Sequence, residues 1–383
     1  MKKTVLTLLS FAFIVSGLYA QTDLGDKDFL NPLYTGIPSL SIAPDAKSGG
    51  MGDVGAATTP DVFSQHWNPS KYAFMESPVG FAFSYTPWLS QLVEDINLFY
   101  MVGYWKPGQD DNQAFSASIR YFSLGDVTLR ETETGPTFTA NPNEFAVDLA
   151  YSRKLSENFS ASVGFRFIRG DLNIPVRDAS ERSYPATAFA ADVSAFYTTP
   201  ITMSTGDANL AFGLNISNIG NKISYDDGDT KNFLPTNFRL GGSFDIPFDN
   251  YNRLSVNADI NKLLVVARGS YTGAEYEEMT MLSSIFNSFG DAPGGFKEEM
   301  QEIMWSAGLE YSYNKQFFVR AGYFNEHEKK GGRKYFTMGA GFKLNVFQLD
   351  AGYVIATTPS NPLDKTLRFS LSFDLYGLQN LMN

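Results

Sequence analysis

The chain has no cysteine and only two histidines among 383 residues. Without cysteine there are no disulfides and no thiolate nucleophile, and two histidines leave little material for zinc ligation or imidazole catalysis. His327 stands beside Glu326 and Glu328 but runs on into Lys329 and Lys330, which reads as a charged loop tip. No metal, cofactor or catalytic set is expected, and the Ser/His/Asp constellation that a lipid A deacylase would need is not recognisable. Long apolar runs are also missing beyond the N-terminus. The densest is Leu263 to Ala267, far below the roughly 18 residues of a membrane helix. Basic residues are scarce, at 30 against 41 acidic ones, so the net charge of -11 argues against nucleic acid as a partner.

What is present begins with a targeting segment. Lys2 and Lys3 precede an apolar run from Val5 to Val15, then Gly17 and a cut expected after Ala20, with Leu18 the one weak feature. Residues 1–20 are therefore expected to be removed, which takes two lysines away and leaves a net charge of about -13. The chain is exported, and if it enters a membrane it does so through strands.

Those strands are legible. Leu367, Phe369, Leu371, Phe373 and Leu375 alternate with Arg368, Ser370, Ser372 and Asp374, the period of a strand with one apolar and one wet face. Fourteen such segments are expected, over residues 79–86, 95–106, 114–123, 143–154, 159–170, 187–198, 209–218, 236–246, 253–262, 303–313, 316–325, 334–344, 346–355 and 365–375. The second fits least well, because Phe99 and Met101 share a parity with Asn97. Short turns alternate with long connections, the asymmetry of an outer-membrane barrel. A ten-residue strand rising ~3.3 Å per residue at a tilt of ~40° spans roughly 25 Å, the height of an outer-membrane apolar band. Soluble strands are commonly about half that length. The expected fold is all-β: a 14-stranded antiparallel transmembrane barrel over 79–375, with a tail at 376–383, both termini periplasmic, and outer-membrane lipid and lipopolysaccharide against its apolar face.

Residues 21–78 are too many for a tail and read as a plug, or hatch, folded inside the barrel. Gly49, Gly50, Met51, Gly52 and Asp53 lie in a small-residue stretch that permits close backbone approach. No strand precedes it and no Lys-Ser/Thr follows at phosphate-loop spacing, so a phosphate cradle is not indicated. Gln65, His66, Trp67, Asn68 and Pro69 follow, with His66 expected to hydrogen-bond hatch to wall. Inward-facing Arg120, Arg166, Arg239, Arg320 and Arg368 are mixed with Asp148, Asp192, Asp245, Asp259, Glu310 and Asp350. They admit a selectivity lining or a set of pairs holding the hatch, and the mixed signs favour pairs.

The stretch from Asp45 to Phe74, DAKSGGMGDVGAATTPDVFSQHWNPSKYAF, resembles the N-terminal signature of the PorV family of type IX secretion outer-membrane proteins. Its small-residue run and Asn-Pro are shared with the wider FadL-like, fatty-acid-transporter family. That resemblance implies fourteen strands and a lumenal hatch. It also implies a non-enzymatic shuttle. Such a barrel would take secreted cargo with C-terminal signal domains from a giant translocon barrel and pass it to a surface sortase-like peptidase. The alternative is a FadL-like transporter of hydrophobic small molecules, for which inward-facing Phe99, Met101 and Trp105 could line a pocket. Partner binding is expected on the longest loop, 263–302, where Met279, Met281, Leu282, Ile285, Phe286 and Phe289 recur at helical spacing. The same apolar face could instead close over the barrel mouth as a lid. Glu275, Glu277, Glu278, Glu298, Glu299 and Glu302 flank it and would keep it soluble.

Overall fold

A computed structural model describes residues 31–89, 95–108, 112–130, 137–172, 184–226, 230–357 and 363–374. Sixteen strands occur in chain order: β1 (Val79–Pro87), β2 (Ile96–Trp105), β3 (Gln113–Leu124), β4 (Val127–Arg130), β5 (Thr137–Ala140), β6 (Asn143–Ser156), β7 (Phe159–Asp171) and β8 (Ala186–Met203), followed by β9 (Gly206–Gly220), β10 (Asn237–Pro247), β11 (Asn252–Leu263), β12 (Met304–Tyr313), β13 (Phe317–Asn325), β14 (Lys334–Leu344), β15 (Phe347–Ala356) and β16 (Leu367–Asp374). Fourteen of them close an antiparallel barrel, while β4 and β5 pair with each other in the long connection between β3 and β6. Closure is made by β1 on β16, in a register that places Phe81 opposite Phe373 with their rings stacked 4.6 Å apart. No barrel strand is left with an unpaired side, which removes the edge hazard of an open sheet.

Alternation sets the faces. Along β3, Phe115, Ile119 and Tyr121 point out and are exposed, while Ser116, Ser118 and Arg120 point in and are buried. At one end the turns are tight. Asn314 and Lys315 both take φ of 54°, and Asn345 takes 50°, the left-handed backbone that a two-residue hairpin matched to strand twist needs. The opposite end carries the long connections. No helix among the described residues is long and apolar enough to cross a membrane; the strands cross it.

The segment before β1 fills the lumen and runs from one end to the other. At the long-loop end Asn31 N donates to Lys329 O at 3.0 Å and Gly36 N to Phe233 O at 2.8 Å. At the short-turn end Lys106 N donates to Pro78 O at 2.7 Å, just before β1 begins. The sequence expectation put both termini on the periplasmic side; Asp374 lies at the short-turn end but Asn31 at the other. The expected signal peptide (1–20), residues 21–30 and the tail 376–383 lie outside the described residues. The strand expected over 187–198 is longer, since β8 runs to Met203 and pairs there with Gly206 at the start of β9.

Candidate functional site: the hatch and the surface loop

The hatch is built from short helices that cap one another. Asp45 accepts from Ser48 N at 2.8 Å and so starts the helix Ala46–Gly49; its other oxygen accepts from Trp67 Nε1 at 2.6 Å, tying that helix to Ser64–Trp67. Asn68 closes the second helix: its amide donates to Ala56 O and to Ala195 O on β8, both at 2.9 Å, and its Oδ1 accepts from Ser70 N at 3.2 Å. Pro69 starts the next 3-10 turn, and its carbonyl accepts from Ser152 Oγ at 2.8 Å.

The glycines make the seam with the wall. A Cβ on Gly50 would stand 3.0 Å from the Cα of Gly339 on β14, and one on Gly52, whose φ is +74°, would stand 2.7 Å from the backbone N and O of Tyr323. A Cβ on Gly49 would strike the Arg368 side chain. Met51, 1% exposed, is pressed against wall glycines Gly308 and Gly322. Asp53 accepts from Arg368 Nη1 at 3.0 Å and from Tyr335 OH at 2.6 Å. Gln65 accepts from Ser116 Oγ at 2.6 Å. His66 Nδ1 lies 2.9 Å from Arg120 Nη2, and because a guanidinium only donates, Nδ1 accepts and the ring proton sits on Nε2. Trp67 is 1% exposed, with Arg239 over its ring at 4.4 Å. Every residue of the expected hatch motif thus touches the seam.

Most of the lumen charges pair. Arg166 is held by Asp148 and, at 2.9 Å, by Asp192; Arg320 is held by Glu310 and Asp350 at 2.6 Å each. Arg253 pairs with Asp245 at 2.6 Å. Others hold the hatch directly: Arg368 binds Asp53, Arg120 donates to Ser39 O and Ile42 O, and Asp259 accepts from Gly55 N and Ala56 N at 2.8 and 3.0 Å. Pairing satisfies buried ions that would otherwise be costly, and it ties hatch to barrel without a ring of one sign.

The expected pocket on β2 is overturned. Phe99, Met101 and Trp105 point to lipid, being 47%, 59% and 54% exposed, while Leu98, Tyr100, Val102 and Tyr104 point in. The parity was misread because both faces of this strand are apolar. The inward face packs on Val62, Phe63 and Tyr72 of the hatch, so these side chains do not line an open pocket. Sequence reasoning placed Asp259 among the lumen charges without naming the hatch amides it takes, and passed over Tyr72 as the core of the hatch. Tyr72 could have been found by the pairing of aromatics on both segments.

The long loop also departs from expectation. In place of one amphipathic helix there are three short ones, Gly273–Glu278, Met281–Asn287 and Phe296–Gln301. The break falls at Met279–Thr280 because Thr280 leaves the helix to cap the next turn, its hydroxyl accepting from Ser283 N at 3.2 Å. Met279 packs on the cluster of Phe233, Val265, Val266 and Tyr276. In the second helix Ser284 is buried and Met281 and Ile285 are half-buried, whereas Leu282, Phe286 and, just beyond it, Phe289 are 59%, 75% and 55% exposed. Ser284 ties this helix to the start of the loop, its Oγ accepting from Val266 N at 3.2 Å, while Phe286 and Phe289 are turned outward.

Its acidic residues are not all solvating. Glu299 and Glu302 are buried and take Lys262 Nζ at 3.2 and 2.5 Å; Lys330 reaches Glu298 and Glu302 at 2.6 and 3.0 Å. Asp291, Glu299 and Glu302 converge as metal-binding carboxylates could, yet the lysines already occupy two of the three. Burial, reinforced by the two glutamates, pushes Asp291 up to about 7 although Ala267 N donates to it at 2.6 Å. His327 accepts from Lys329 N at 3.2 Å at a loop tip, as its neighbours suggested.

A closed fourteen-strand antiparallel barrel with a hatch in its lumen is the architecture of an outer-membrane protein. The family model for the type IX secretion system protein PorV matches residues 26–269, and the chain belongs to that family, an outer-membrane component of type IX secretion. No curated protein matches the sequence. Among solved structures, the Pseudomonas putida toluene transporter TodX is similar at 9% identity, with 90% of this chain and 98% of that one covered and a TM-score of 0.50. The deltaS2S3 mutant of the monoaromatic hydrocarbon channel TodX matches at 11% identity, 86% and 98% coverage and a TM-score of 0.50. A Pseudomonas aeruginosa FadL homologue matches at 12% identity, 86% and 98% coverage and a TM-score of 0.45. These likenesses concern the fold.

Proposed function

We propose that the chain is a non-enzymatic carrier. It takes secreted proteins with C-terminal signal domains at the giant translocon barrel and delivers them to a surface sortase-like peptidase. The observation that supports this most is the outward aromatic surface of the long loop, with Phe286 75% exposed beside Leu282 and Phe289. A lid would bury that face against the barrel, whereas exposed apolar side chains rimmed by acidic residues suit protein partners. The sealed lumen supports the same reading, because a hatch glued by backbone contacts and ion pairs leaves cargo to travel outside this barrel. Gentle affinity purification from membranes tests it. The carrier reading expects a large translocon barrel or secreted proteins to accompany the chain; bound hydrophobic small molecules with no protein would support a transporter instead.

A further inference from the structure

We propose that the lumen holds, on the long-loop side of the hatch, a binding site for a carboxylate group centred on Arg239. This goes beyond the carrier reading, which survives if the site does not exist. The cavity of about 60 Å3 has room for a few waters or one carboxylate, and strand ends of β10, β11 and β14 wall it. Arg239 lines it. One of its five donors is committed, Nε to Asn261 Oδ1 at 2.7 Å, and its face lies on Trp67. Among the described residues no carboxylate comes within ion-pair distance of it, although Asp259, Asp53 and Asp45 act on it from further off.

The neighbouring anions are already engaged. Asp259 holds two hatch amides, Asp53 holds Arg368 and Tyr335, and Arg333 is forked onto Glu326 at 2.8 and 2.9 Å. Arg120 also lacks a carboxylate, but two backbone carbonyls and His66 take its donors. Arg239 is left with a planar fork facing a polar cavity, the arrangement that binds carboxylates with two parallel bonds. A second donor stands on the same wall: His66 carries its proton on Nε2, and that buried atom has no acceptor. A carboxylate beside Arg239 and His66 would supply the missing acceptors. Free small carboxylates and the C-terminus of a polypeptide share this chemistry.

Crystals soaked in sodium bromide provide the test, with bromide standing in for the anion. An anomalous peak beside the Arg239 guanidinium is expected in the parent, retained in Arg239→Lys and lost in Arg239→Gln, all three keeping the heat-modifiable folded band. Acetate should displace the bromide. Displacement also by Gly-Gly-Gly with a free C-terminus, at least about tenfold better than by its amide, identifies a chain end; displacement by acetate alone identifies a small free carboxylate. No peak, a peak that survives Arg239→Gln, or bromide that acetate cannot displace would overturn the site.

Discussion

Gly50 of the hatch and Gly339 of β14 meet backbone to backbone, with no room for a side chain on either: a Cβ on one would stand 3.0 Å, and on the other 3.1 Å, from the opposing Cα. Such contacts exclude water along the seam and let the flanking polar groups reach their partners. Gly50→Val should therefore unseat the hatch before it unfolds the barrel, because the β ladder does not pass through this residue. In planar bilayers the parent should stay closed and the variant should show open events, with the heat-modifiable band of both proteins intact. A variant as silent as the parent would remove this seam as the seal.

The ion pair of Arg368 with Asp53 offers a second handle. Arg368→Met should cost about 3–5 kcal/mol in hatch seating, since it leaves the Asp53 carboxylate with Tyr335 alone; adding Asp53→Asn should recover much of the loss. Rates of proteolysis within residues 45–61 measure seating. Additive losses in the double variant would contradict the pairing.

On the lipid side, Leu371→Arg near the middle of β16 should destabilise the barrel by about 2–4 kcal/mol. Ser372→Arg, next along the strand, points into a lumenal cavity of about 430 Å3 lined by Asp245, Glu310 and Asp374 and should be mild. Ser370 is a poor comparison because its hydroxyl accepts from Ala46 N at 2.8 Å. Urea midpoints in detergent distinguish the two faces, and equal losses would contradict the assignment.

The barrel was legible because one parity of nearly every strand is apolar and loop lengths alternate, signals that survive without any knowledge of packing. Where both parities are apolar, as in β2, the pattern carries no orientation. Only the hatch packed on Tyr100 and Tyr104 decides which side is in. The ten hatch residues were singled out through small-residue spacing and resemblance, yet partners such as Thr337 for Gly52 and Arg368 for Asp53 lie 285 and 315 residues away and leave no local trace. The helix break at Thr280 was visible in principle, since threonine caps as readily as it continues a helix.

Asp291 makes the loop respond to pH. Its carboxyl is raised from 3.8 to about 7, so between those values the packed loop holds a proton that the released one does not; the stability this supplies is full below the released value and is lost as pH rises to about 7. Hydrogen exchange at the Ala267 amide should quicken beyond its intrinsic pH dependence between about pH 4 and 7, and follow the intrinsic dependence alone above that. Asp291→Asn should flatten the excess, with Glu299, Glu302 and Lys262 unchanged around it.

The central claim is that the outward aromatics of the long loop engage protein partners. Secretion by cells carrying Phe286→Glu with Phe289→Glu, at matched barrel abundance and folding, tests it most directly. Cargo should fail to reach the surface and accumulate in the periplasm; normal surface delivery by the double variant would contradict the account.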